Sequence, residues 1–100
     1  MKLYRGDLKP DLVITLTDGD QPVDLSAATS VRIIGMRGST LAFDRTPTST
    51  EGGVVTMEWL PEDTETTGRI TVEVEVTWPG AKPQTFRPAS NAVDVVADYA

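Results

Sequence analysis

The sequence contains neither cysteine nor histidine. Without cysteine it has no disulfide framework and no thiolate metal site, so stability must come from apolar packing. Without histidine it lacks the usual general base, the Ser-His-Asp arrangement and the commonest zinc ligand. No nucleophile constellation stands out among the remaining residues, and the chain reads as a non-enzyme with no cofactor and no metal. Long apolar runs are missing too. Met1-Lys2-Leu3-Tyr4 leads straight into charged residues, and no stretch reaches the length of a signal peptide or a membrane span. The expectation is a soluble chain made in the cytoplasm, with no membrane contact. Nine basic residues face fifteen acidic ones, and a net charge of -6 without long runs would repel nucleic-acid phosphates. Nucleic acid is therefore not an expected partner.

One hundred residues are expected to form a single domain, 1–100, that buries roughly two thirds of the surface its unfolded chain exposes. There is no internal repeat, linker or low-complexity tract. Ile70, Val72, Val74, Val76 and Trp78 alternate with Arg69, Thr71, Glu73, Glu75 and Thr77. This period of two, rich in β-branched residues, reads as a strand with one buried face. Leu12, Ile14 and Leu16 form a second such face, and the Asp18-Gly19 step after it supplies a tight turn. Leu41 and Phe43 precede the Gly52-Gly53 breaker, while Val55, Met57 and Trp59 follow it, so these segments are expected to pair as a hairpin around the loop 46–53.

Val31 and Ile33 continue the strand pattern, but Ile34 and Met36 fall in the opposite phase beside Gly35, which implies a bulge or a second covered face. Pro61 followed by Glu62-Asp63 suits a helical turn within a crossover from the Trp59 strand to the Ile70 strand. Thr85-Phe86-Arg87 and Val93-Asp94-Val95 read as short closing strands. The pattern predicts an all-β fold of seven to eight strands, a sandwich or small barrel, and the crossover is what a two-sheet antiparallel β-sandwich requires.

Several motifs invite chemical readings. Asp18, Asp20 and Asp24 open like a calcium loop, but Pro22 stands where a ligand is expected and Thr29 where the bidentate glutamate belongs. An ordinary acidic turn is the simpler reading, and an irregular cation loop the alternative. Glu73 and Glu75 lie about 7 Å apart along one strand, a spacing that superficially fits a glycosidase pair, but neighbours on a sheet face are usually both solvated. Trp59 and Trp78 could serve as a sugar-stacking platform. Both lie in the apolar phase of their strands, where each would bury on the order of 200 Å². Arg5-Gly6-Asp7 spells an integrin-recognition tripeptide, which a turn glycine between two solvated charges explains more simply.

The run 12–26, LVITLTDGDQPVDLS, followed by Ala27-Ala28-Thr29-Ser30-Val31, resembles the start of the immunoglobulin-like domain of tailed-bacteriophage baseplate upper proteins. Gly53-Val54-Val55-Thr56, Trp59, Gly68, Val74-Glu75-Val76-Thr77-Trp78 and Thr85-Phe86 follow that family's order over nearly the whole chain. Arg69-Ile70 replaces an aromatic that many members carry, and residues 35–40 follow the pattern poorly. The resemblance implies an immunoglobulin-like sandwich and a virion location after synthesis in the host bacterial cytoplasm. It also implies a structural role in the tail, baseplate or capsid decoration, with other phage structural proteins as partners and a homo-oligomer in the particle as an option. It carries over no catalytic residues. Because the chain ends at Ala100, no receptor-binding arm is expected. The alternative is a glycan-binding module for attachment to the host surface.

A building block of this kind works through its surface. Ile34 and Met36, out of phase beside a glycine, form one candidate contact; Thr71, Glu73, Glu75 and Thr77, which line one strand face and could meet a basic partner, form a second.

Overall fold

The computed structural model describes residues 1–88 and 92–97. The chain is all-β, with strands β1 (Lys2–Tyr4), β2 (Leu12–Thr15), β3 (Thr17–Asp18), β4 (Gln21–Pro22), β5 (Ser30–Arg37), β6 (Thr40–Arg45), β7 (Val54–Met57), β8 (Gly68–Trp78), β9 (Lys82–Phe86) and β10 (Ala92–Val96). These ten segments exceed the seven or eight predicted, because short pieces such as β3 and β4 count separately. Two 3-10 turns, Glu51–Gly53 and Pro61–Asp63, are the only helical elements among the described residues. The second falls in the segment where a helical turn is predicted.

A six-stranded sheet runs β1-β10-β8-β5-β6. The eleven-residue β8 is its spine, with β5 along one edge and β10 and then β9 sharing the other. A separate sheet pairs β2 with β7, and β3 and β4 form a tight hairpin. The sheets are mixed rather than purely antiparallel, because β1 runs parallel to β10. That pairing joins the two ends of the sequence, beyond the reach of any local pattern.

Alternation sets the core. Ile70, Val72, Val74 and Val76 of β8 are no more than 1% exposed, and burying each contributes about 2 kcal/mol. Across the core they meet Leu12 and Ile14 of β2 and Val55 and Met57 of β7 in one hydrophobic cluster. Trp59 belongs to this core as predicted, edge-on to Phe43 with ring centroids 5.8 Å apart. Trp78 is only half-buried, packing against the cluster from its margin.

The predicted hairpin between the Leu41–Phe43 and Val55–Trp59 segments does not form. β6 pairs with β5, whereas β7 pairs with β2, so the loop 46–53 carries the chain from one sheet to the other. Two alternating segments across a glycine loop cannot reveal by themselves which sheet each joins. The bulge predicted near Gly35 is real but lies on the facing strand. Gly35 opposes Phe43 and Met36 opposes Leu41, leaving Ala42 of β6 as the extra residue. A Cβ on Gly35 would lie 2.5 Å from the Phe43 ring. The missing side chain makes room for that ring, and β5 keeps its alternation throughout.

At the base of the fold the crossover after Trp59 is tied down by buried polar groups. Asp63 is 2% exposed and is gripped by Arg45, whose Nη1 and Nη2 donate to its two carboxylate oxygens at 2.5 and 3.0 Å. The Leu60 amide donates to the same carboxylate at 2.8 Å, and Arg37 donates to the Asp63 carbonyl at 2.9 Å. The fully buried Thr64 donates its hydroxyl to the Asp7 carbonyl at 3.0 Å, and Trp59 Nε1 donates to the Pro10 carbonyl at 3.0 Å. These bonds pin the loop joining β1 to β2 against the crossover. The Arg5-Gly6-Asp7 stretch is a turn within it, with Gly6 at φ +91° and the Asp7 amide donating back to Tyr4.

Candidate protein-contact face

Cross-strand register decides which side chains are neighbours. On β8, Thr71, Glu73, Glu75 and Thr77 point away from the core. Because β5 pairs with β8, Met36 lies opposite Thr71, Ile34 opposite Glu73, Arg32 opposite Glu75 and Ser30 opposite Thr77. The two candidate contacts read separately from the sequence are therefore one surface, the outer face of the large sheet. Ile34 and Met36 are half-buried there, flanked by polar neighbours rather than isolated at a bulge.

The face is charged but largely paired within itself. Arg32 Nε donates to Asp44 at 2.7 Å, Arg69 Nε to Asp94 at 2.9 Å and Arg87 Nε to Glu73 at 2.8 Å. Donating to these carboxylates raises each guanidinium above its ordinary value, and the bond from Arg69 holds the Asp94 carboxyl below its own. Arg32 also feels the charge of Glu75. A basic partner would thus meet carboxylates already answered by arginines. What the face presents is a pattern of alternating charge around the apolar pair Ile34 and Met36. Glu73 and Glu75 are neighbours on an open sheet, with Glu73 bonded to Arg87, and do not oppose each other across a cleft.

The acidic turn sits at the opposite end from the crossover. Gly19, at φ +62°, leads the two-residue loop between Asp18 and Gln21. Ser26, through its hydroxyl and then its backbone amide, holds the Asp24 carboxyl below the usual range. Among the described residues no three acidic side chains converge into a metal-holding group. A cleft of about 380 Å³ beside the turn gathers Asp18, Gln21, Asp24, Trp78, Gln84 and Phe86, with Trp78 Nε1 donating to Gln84 at 2.9 Å.

Sequence reasoning missed the buried Arg45–Asp63 pair, reading Asp63 as a dipole-compatible acid at a turn. Nothing local distinguishes it, because its partner lies eighteen residues away at the end of β6. It also missed the arginines that neutralise the candidate face. Three comparisons, with family models, curated proteins and solved structures, found no match to this chain.

Proposed function

We propose that this chain is a non-enzymatic structural protein of a tailed-phage virion, an immunoglobulin-like β-sandwich acting through protein contacts in the tail, baseplate or capsid decoration. The observation that carries the reading is strand order. β6, β5, β8 and the β9 and β10 edge follow the C′, C, F, G order of an immunoglobulin-type sheet, and β2 with β7 stand where strands B and E pair. That order agrees with the residue resemblance over 12–31, Trp59 and 68–78. The outer face centred on Ile34, Met36 and Glu73 is the contact surface in this reading, since it combines half-buried apolar side chains with a fixed charge pattern. Its partner is another particle protein. Mass spectrometry of purified phage particles made from a genome encoding this chain is expected to find it in stoichiometric amounts; its absence from intact particles would sink the assignment. Hundreds of copies per particle would indicate capsid decoration, and multiples of three or six in the tens would indicate the tail or neck.

A second reading, attachment to a host glycan, is favoured by one observation, the cleft that places Trp78 beside Asp18, Asp24 and Gln84. An aromatic ring flanked by carboxylates and an amide can stack on a sugar and bond its hydroxyls. Titration with host surface polysaccharide is expected to shift Trp78 emission in this reading, and to leave it unmoved in the first.

A further inference from the structure

Hydrogen-bond alternation shows which edge of the smaller sheet is unpaired among the described residues. The Thr56 amide donates to Ser49 and its carbonyl accepts from Thr48, so Thr56 turns its backbone away from β2 and its partner Val13 is in a non-bonded pair. Leu16 donates to Gly53 and accepts from Val23, so both of its groups point toward β7 and β4. Residues 12–18 therefore form one continuous strand, with Val13, Thr15 and Thr17 directing their N–H and C=O groups to the far side. Among the described residues nothing bonds those groups, and the Val13 side chain is 57% exposed.

Other exposed edges carry devices that discourage pairing: Lys2 on β1, the Ala42 bulge with Asp44 and Arg45 on β6, Pro22 on β4, and Lys82 with Pro83 on β9. Residues 12–17 read LVITLT, with no charge, proline or glycine. Beside them a cleft of about 250 Å³ is lined by Thr15, Leu16 and Thr17 on one side and Phe86, Arg87 and Pro88 on the other.

We propose that this edge binds a second copy of the chain by antiparallel strand pairing, with Thr15 on the two-fold axis. Centring the strand on Thr15 overlaps its whole length and sets Thr15 opposite Thr15 and Val13 opposite Thr17, each pair exchanging both backbone bonds. The inward residues Ile14 and Leu16 then meet across the axis, extending the apolar layer. Chains of net charge -6 repel over most of their surface, but along this strip no like charges face each other. The same register sets Asp11, already bonded to Lys9 of its own chain at 2.9 Å, opposite Gly19 of the other copy. The assembly is isologous, so it closes as a dimer and does not polymerise. It is independent of the virion assignment.

Sedimentation equilibrium of the purified chain, combined with amide hydrogen exchange, tests this directly. Dimer is expected to increase with concentration while the Val13, Thr15 and Thr17 amides slow in step and those of Leu12 and Ile14 stay protected throughout. Val13→Lys is expected to raise the dimer dissociation constant by at least about tenfold, with melting unchanged at concentrations where both chains are monomeric. Exchange on the unaltered chain gives the same reading without any variant. A chain that remains monomeric, or a dimer in which those three amides exchange at the monomer rate, overturns the proposal.

Discussion

The two outward faces of this fold solve the same problem in opposite ways. The large sheet covers its outer side with arginines and carboxylates held at 2.7 to 2.9 Å. The small sheet presents Val13, Thr15, Val54 and Thr56, none of them charged. Inside, the two sheets are alike, both giving alternate aliphatic residues to one core. Alternation thus specifies burial and leaves recognition to the other half of each strand. A face of ion pairs recognises through side chains, so its partner must match a charge pattern. An open backbone edge recognises through main-chain groups, so its partner must match geometry and length.

The contrast can be broken most severely at the polar knot on which both sheets depend. Asp63→Ala leaves Arg45 without its carboxylate and unbinds the Leu60 amide, and is expected to destabilise the protein by about 4 kcal/mol, read by chemical denaturation. Next come the two buried glycines, one serving each sheet. Gly53→Ala would set a Cβ 2.7 Å from the Val23 carbonyl oxygen at φ +75°, where backbone cannot yield, and is expected to cost about 3 kcal/mol. Gly35→Ala presses on the Phe43 ring, which can turn or shift, so about 2 kcal/mol is expected; equal losses in the two variants would contradict this ordering.

A smaller effect on stability separates folding from contact. Replacing Ile34 and Met36 with serine should lower stability by only about 1 kcal/mol, because both are half-buried, but should reduce incorporation into particles. Normal incorporation would remove this face from consideration. Acid gives the mildest probe. The Asp94 carboxyl titrates below its unfolded value because Arg69 bonds it, so its contribution is present above about pH 4 and fades as pH falls through the lowered folded value. Amides of β8 and β10 should lose protection on acidification before those of β2 and β7, whose strands carry no ionisable side chain. Arg69→Gln should flatten that difference.

Sequence made the strands legible, while their partners were less so. The alternation of β8 and of β2 survives intact because each has one face in the core, and the crossover after Trp59 links different sheets as its composition implied. The Leu41–Phe43 segment was misassigned because pairing the nearest alternating neighbour is the economical guess, and nothing local shows that the loop 46–53 changes sheets. Ile34 and Met36 stood out by phase, yet their adjacency to Thr71 and Glu73 exists only through the register of β5 on β8. The open edge of residues 12–18 was equally hidden, since strand chemistry reads the same with one neighbour or two.

The parallel contact between β1 and β10 sets a timetable as well as a shape. Leu3, 1% exposed, pairs with Val95, so Lys2–Tyr4 has no partner until the distant segment Ala92–Val96 has been made. Contacts of such sequence separation carry a high loop-closure cost and favour slow folding. During translation, therefore, residues 12–78 can assemble most of both sheets while Lys2–Tyr4 stays uncommitted, and that strand joins the large sheet only after β10 has been made.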